Sequence, residues 1–197
     1  MWVKQVPSRG SMLYALEVPR DAQGETLGDT SFASTSAAYD ALPEALRERI
    51  EGRRAVFSAQ QYIEFRIAQT PVDPATGEVP PEVREGMRER AKNMVPEISH
   101  PLVKRHPRTG RKCIYFSEGA IHHIEGLGVE ESQQILRELQ AHLLQPRFVY
   151  RHRWREGDVV MWDNIACLHK AFSDYQWPQR RRMHRTTLAH NPKPEFA

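Results

Sequence analysis

Residues 162–189, WDNIACLHKAFSDYQWPQRRRMHRTTLA, set one histidine, His169, on a short apolar run and follow it with arginines at 180, 181, 182 and 185. Imidazole is the commonest protein metal ligand, and guanidinium is the side chain best shaped to grip a carboxylate through two parallel hydrogen bonds. The stretch therefore has the composition of half a metal and anion site. A lone histidine is more often a hydrogen-bonded structural residue than a ligand, and a run of arginines is more often a solvated face. Strand parity weighs against the second of these. Residues two apart in an extended strand share a face, so Arg181, Met183 and Arg185 point one way while Arg182, His184 and Thr186 point the other. Two arginines on one face of a core strand need an anion between them, because a desolvated guanidinium without a partner is costly. The alternative is that both side chains snorkel to solvent.

The elements that must position these residues are legible from pattern. Residues 11–18 (SMLYALEV) form a short apolar run that ends at Pro19, a predicted strand, and 21–24 make the turn after it. Residues 34–50 predict a helix with a Ser/Thr-rich start, a break at Pro43 and a stop at Gly52, and 54–58 a further strand. Pro71, Pro74, Pro80 and Pro81 punctuate a polar segment before a charged helix at 82–94, so 60–97 is expected to be a surface excursion or lid. Arg108-Thr109-Gly110-Arg111 is a turn feeding a strand at 112–116. Residues 129–144 place Ile135, Leu136, Leu139 and Leu143 on one face of an amphipathic helix. Strands follow at 148–154, 159–162 and 181–189. Many short strands with helices confined to a few segments predict a mainly β protein, a sandwich or barrel with helical decoration.

Composition narrows the function classes. The chain has 197 residues, 40% hydrophobic and 27% charged, which fits one domain, 1–197, burying roughly two thirds of its unfolded surface. No window approaches the roughly 20 apolar residues of a membrane span and no leader is apparent, so no membrane partner and a cytoplasmic location are expected. Cys113 and Cys167 lack zinc-type spacing and read as reduced, buried thiols. A net charge of +3 is too small for a global nucleic-acid-binding field. The local arginine clusters at 147–155 and 180–185 keep that reading open, but no recognition motif accompanies them, and nucleic acid is not an expected partner.

The combination of WDN at 162–164, His169, Asp174-Tyr175 and RRMHR at 181–185 resembles the C-terminal signature of the taurine dioxygenase-like (TauD/TfdA) family of Fe(II)- and 2-oxoglutarate-dependent dioxygenases. The resemblance extends upstream through GETLGDTSFASTSAAYDALP at 24–43, HPLVKRHPRTGRKCIYF at 100–116 and IEGLGVEES at 124–132, and so covers nearly the whole chain. It implies a double-stranded β-helix (jelly-roll) core with helical insertions, and iron on a two-His, one-carboxylate triad. It further implies oxidative decarboxylation of 2-oxoglutarate to succinate and CO2, coupled through dioxygen to hydroxylation of a small organic acid or similar substrate. Carried over by position, His169 resembles the distal iron ligand, Arg185 the clamp on the C5 carboxylate of 2-oxoglutarate, Thr26 the hydroxyl sharing that carboxylate, and Arg181 the arginine near the C1 end. A loop at 176–179 is one residue longer than the pattern, which loosens the placement of Arg181. No residue is assigned proton transfer, and Trp162 reads as core packing.

The family's other two ligands form a His-x-Asp pair, and no His-x-Asp occurs in this sequence. The spacing to Thr26 would place it just upstream of Met1, so the resemblance implies a chain shortened at its N-terminus, with an incomplete first part of the jelly roll. His123-Ile124-Glu125, the one His-x-Glu, is a formal substitute but is followed by Gly126 and a helix start. Two readings of the chain remain: a dioxygenase, active as it stands or only in a longer form, or a non-catalytic remnant that retains only anion binding. The oxidised substrate is not legible, and a homo-oligomer is compatible with the sequence.

Overall fold

The computed structural model describes residues 8–70, 72–73, 75–94 and 96–188. They fall into two compact units. One holds Glu44–Val103 and Tyr115–Gln140, the other 8–43, Lys104–Ile114 and 141–188. In chain order the elements are β1 (Gly10–Glu17), β2 (Thr30–Ser34), α1 (Thr35–Asp40), α2 (Glu44–Ile50), β3 (Arg54–Ser58), α3 (Ala59–Ala68), α4 (Pro81–Lys92), β4 (Glu97–Pro101), β5 (Val103–Arg105), β6 (Lys112–Ile114), β7 (Ile121–Ile124), α5 (Val129–Leu143), β8 (Val149–His152), β9 (Val159–Asp163), β10 (Cys167–Ala171) and β11 (Arg182–Leu188).

The second unit carries the site. Two antiparallel sheets, ordered β11-β1-β9 and β10-β2-β8, are assembled by a chain that repeatedly changes sheet: β1 to β2, β8 to β9, β9 to β10 and β10 to β11. This is the jelly-roll arrangement that the sequence led us to expect. The two sheets meet through aromatic rings, Phe32 of β2 lying 5.4 Å from Trp162 of β9. Ala15, Val18 and the fully buried Trp154 form an apolar cluster, with Leu13, Val160 and Met183 packed against it. Trp154 also satisfies its indole N–H, which donates to Thr30 Oγ1 at 3.0 Å.

Local signals explain the helix boundaries. Ser34 ends β2 and accepts from the Ala37 N–H at 3.3 Å, so one residue stops a strand and caps α1. Pro43 separates α1 from α2, and Pro81 opens α4 at a position where its missing N–H costs nothing. The stripe Ile135, Leu136, Leu139 and Leu143 of α5 is buried, as its periodicity predicts.

Three elements differ from the sequence reading. β2 was not read as a strand from the sequence, where only its last residue, Ser34, falls in the Ser/Thr-rich start of the expected helix, yet it is the central strand of its sheet. The segment expected to be a surface excursion begins with α3, whose Ile63 and Ile67, one turn apart, are buried with Val79. His123-Ile124-Glu125, which reads from sequence as a loop or helix-entry turn, instead overlaps strand β7, which pairs with β3 in a sheet ordered β4-β3-β7. Cys113 and Cys167 are free thiols, and burial raises the pKa of both. No described helix is long and apolar enough to cross a membrane.

Trp154→Ala should cost about 3–5 kcal/mol of stability, the range for deleting a buried aromatic ring. Chemical denaturation monitored by circular dichroism measures it, and a loss under 1 kcal/mol would contradict the placement of Trp154 at the centre of its cluster.

Candidate functional site

β11 pairs with β1 so that Arg185 lies opposite Leu13 and Met183 opposite Ala15. The parity read from sequence holds: Met183 packs into the apolar cluster, whereas Arg182 projects to the other face and pairs with Glu17 at 2.9 Å. Arg185 shares the inner face, and its Nη2 donates to Ser11 Oγ at 3.2 Å. Arg181, just before β11, donates from Nε to the Gly28 carbonyl at 3.0 Å and from Nη2 to Thr30 Oγ1 at 3.5 Å, with its guanidinium 5.7 Å above the Trp154 ring. Neither arginine has a carboxylate within ion-pair distance among the described residues. Burial holds the Arg181 guanidinium below the ordinary arginine pKa, with the Tyr175 phenol acting in the opposite sense.

His169 stands on β10 opposite Phe32 of β2. Its ring lies 4.8 Å from Trp162 and 6.4 Å from Phe32. Among the described residues neither ring nitrogen has a hydrogen-bond partner. The residue is exposed as a whole, yet desolvation and then the positive charge of Arg185 push its pKa down to about 4. The imidazole is therefore neutral at physiological pH, the form that can donate a lone pair to a metal.

The turn between β9 and β10 delivers His169, and its polar groups are closed. Asp163 Oδ1 accepts from the N–H groups of Ile165 (2.7 Å) and Ala166 (3.0 Å), while Oδ2 lies 2.9 Å from His106 Nε2. His106 Nδ1 accepts from the N–H groups of Arg108 and Thr109 at 3.3 and 3.2 Å, which leaves the ring proton on Nε2, donated to Asp163. Desolvation raises the Asp163 pKa, but the hydrogen bonds from His106, Ala166 and Ile165 outweigh it, and the net shift is downward. Thr35 closes the turn by donating its N–H to the Ala166 carbonyl and its hydroxyl to the Ile165 carbonyl.

The segment before β2 packs against the arginine side of the site. Gly28 has φ +72°, its N–H donates to Asp174 Oδ1 at 2.7 Å, and a Cβ there would lie 2.8 Å from Arg181 Cδ and 3.1 Å from the Tyr175 ring. Thr26 lies two residues before Gly28, in a bridge with Arg20. Arg181, not Arg185, is thus the arginine held against this segment.

The formal alternative triad does not assemble. His123 Nδ1 contacts His122 Nδ1 at 3.1 Å, Glu125 faces Arg54 at 3.9 Å, and no group of three His, Cys, Asp or Glu side chains among the described residues could hold a metal. The described residues therefore do not complete a metal site; His169 stands among them as a single neutral imidazole. They do fit an anion, because the half-buried Arg181 lacks one. Sequence reasoning missed Ser11, His106 and the turn-closing role of Asp163, although WDN and HPRTG both stood out as motifs.

The model of the taurine catabolism dioxygenase TauD, TfdA family matches residues 2–187. The chain belongs to this family. The 2,4-dichlorophenoxyacetate dioxygenase of Cupriavidus pinatubonensis, named as α-ketoglutarate-dependent, is 38% identical over 184 residues, covering 93% of this chain and 56% of that protein. The α-ketoglutarate-dependent sulfate ester dioxygenase of Pseudomonas putida is 35% identical over 162 residues, covering 82% and 50%. Among solved structures, AAD-2 in complex with Mn(II) and N-oxalylglycine superposes with a TM-score of 0.74 at 32% identity, covering 95% of this chain and 65% of that one. The chain spans about half the length of the curated relatives it matches.

Two predictions concern this TauD/TfdA site. Gly28→Ala should cost about 1–3 kcal/mol, because alanine is strained at this φ and its Cβ collides with Arg181; an unchanged melting temperature would contradict the close approach. Asp163→Ala should cost about 1–2 kcal/mol at pH 7, the lower part of the range for bonds to a charged group, since the carboxylate is partly open to solvent. The folded-state pKa of Asp163 lies below its ordinary 3.8, so its contribution is complete above 3.8 and is lost as pH falls through the folded value. Denaturation of the variant and the unaltered chain between pH 6 and pH 3 should show the gap narrowing at the acid end.

Proposed function

We propose that this protein is an Fe(II)- and 2-oxoglutarate-dependent dioxygenase that oxidises a small organic acid or ester, and that the residues described here supply its cosubstrate clamp and one iron ligand. The observation that carries the reading is the pair Arg181 and Arg185, at the start of and on β11, which turn inward toward the sheet that bears His169 and have no carboxylate within ion-pair distance among the described residues. A partly desolvated cation left without an anion is stable only at a cost that a bound dicarboxylate removes.

The geometry favours an allocation different from the one expected from sequence position. A keto acid that chelates iron places its C1 end beside the metal ligand. Arg185 is bonded to Ser11, which lies opposite Trp162, whose ring packs 4.8 Å from that of His169, so we assign Arg185 to that end. Arg181, about 13 Å further along an extended chain and held against the Thr26–Gly28 side, suits the C5 carboxylate, with the Thr26 hydroxyl as a second donor. When iron is bound it supplies the activation of dioxygen. This chain's residues bind and orient the dicarboxylate and keep His169 unprotonated for ligation.

The named activities of the relatives support phenoxy acids and sulfate esters as substrate classes to try first. The incomplete metal set among the described residues favours, as a second reading, an anion-binding protein without turnover. Succinate release from 2-oxoglutarate with Fe(II), in the presence of 2,4-dichlorophenoxyacetate or an alkyl sulfate, separates the two. Binding of 2-oxoglutarate without succinate formation favours the second reading, and absence of binding rejects both.

Arg181→Met provides the sharper test of the clamp. It should weaken 2-oxoglutarate binding by thirtyfold or more, as expected for truncating one partner of a desolvated charge pair. The melting temperature of the ligand-free protein should stay level or rise, because an unpaired cation has been removed from a partly buried position. A fall in that melting temperature with unchanged affinity would make Arg181 a purely structural residue.

A further inference from the structure

One side chain joins the arginine strand to the turn that delivers His169. Ser11 lies on β1, the central strand of its sheet, opposite Trp162 of β9 on one side and Thr187 of β11 on the other. It is fully buried. A buried hydroxyl needs hydrogen-bond partners, and Ser11 Oγ accepts from two donors, Arg185 Nη2 at 3.2 Å and Asn164 Nδ2 at 3.4 Å. Asn164 belongs to the β9–β10 turn. Its Nδ2 also reaches the carbonyl and hydroxyl oxygens of Ser8, and its backbone N–H donates to the Arg9 carbonyl at 2.8 Å. Arg185 makes no other hydrogen bond to a described residue, so the Ser11 hydroxyl alone fixes the direction of its guanidinium from the protein side.

We propose that Ser11 is a positioning residue for the dicarboxylate: its hydroxyl aims Arg185 and ties it to the turn that carries His169. The inference rests on the functional reading above and deepens it. The chemistry of the residue suits the task. A hydroxyl accepts one of the five guanidinium N–H groups and leaves four for a ligand, without neutralising the charge. A carboxylate at this position would pair with Arg185 and compete with the incoming acid. An aliphatic side chain would leave the guanidinium free to rotate and would cut its link to Asn164. Serine is also small enough to sit between two neighbouring strands with no exposure.

The test is a double-mutant cycle read by calorimetric titration of the chain with 2-oxoglutarate and, separately, with glutarate, which lacks the keto group and reports on carboxylate capture alone. Ser11→Ala should weaken both by about fivefold, the equivalent of one ordinary hydrogen bond. In the Arg185→Ala background the same substitution should change affinity by less than about twofold, since the group it acts through is gone. Ser11→Thr keeps the hydroxyl and should retain most of the affinity. Asn164→Ala removes the other donor without touching the buried strand, and should weaken binding by about threefold, again only while Arg185 is present; this variant decides the matter if Ser11→Ala does not fold. Equal losses in the presence and absence of Arg185 would mean that Ser11 acts through the fold, and unaltered affinity in Ser11→Ala and Asn164→Ala would mean that it does not act; either overturns the proposal while leaving the functional reading intact. An unaltered chain that binds neither acid overturns both.

Discussion

The arrangement depends on a guanidinium that is half withdrawn from water and, among the described residues, offered no carboxylate within ion-pair distance. Arg181 is surrounded by groups that accept hydrogen bonds or present π density without neutralising it: the Gly28 carbonyl, the Thr30 hydroxyl and the face of Trp154. Carboxylates are not scarce nearby. Asp29, almost wholly buried, pairs with Arg151 at 2.7 Å, and Glu17 pairs with Arg182 at 2.9 Å. These two acids thus go to other arginines, and among the described residues the two arginines that turn inward are held by neutral acceptors alone. Charge left uncompensated in this selective way is what an anion site needs, because a protein carboxylate in place would have to be displaced by each ligand.

The same positive field acts on His169. Desolvation already disfavours the imidazolium, and Arg185 adds to the penalty, so the ring stays neutral at pH values where an ordinary histidine begins to take up a proton. One charge therefore has two consequences. It attracts a carboxylate toward the inner face, and it keeps available the nitrogen lone pair that a metal requires. The packing of Trp162 and Phe32 beside the ring limits its rotation, which matters for a side chain without a hydrogen bond to orient it.

Much of this was legible in the sequence, and the reasons are local. The period of two in β11 separated Arg181, Met183 and Arg185 from Arg182 and His184 before any partner strand was known, and the periodicity of α5 exposed its buried stripe. Legibility ended where a decision depended on tertiary register. Which of the two arginines meets the Thr26–Gly28 segment follows from where β11 begins on β1, and that register leaves no mark in the residues themselves. Ser11 is a further case. A serine on a predicted strand says nothing until two other segments, more than 150 positions away, are brought to the same hydroxyl. β2 was obscured because Thr and Ser serve both strand interiors and helix caps, and Ser34 is used as both. α3 lacks a continuous apolar stripe, and only its tertiary neighbours bury Ile63 and Ile67.

A jelly roll brings a particular difficulty to a site of this kind, and the β9–β10 turn answers it. His169 and Arg185 stand on different sheets, so their separation is set by how the chain crosses between the sheets rather than by the rigidity of either one. A loose crossover would let the imidazole and the guanidinium drift relative to each other by more than a bound keto acid tolerates. Here the crossover is short, and its backbone groups are met by Asp163 from within and by Thr35 from α1, while His106 steadies Asp163 from outside the turn. Asn164 then reaches back to Ser11, under the arginine strand. The polar groups that a sheet-to-sheet turn must satisfy in any case are arranged to fix the distance between the two halves of the site. Fold closure and ligand geometry thus draw on the same hydrogen bonds.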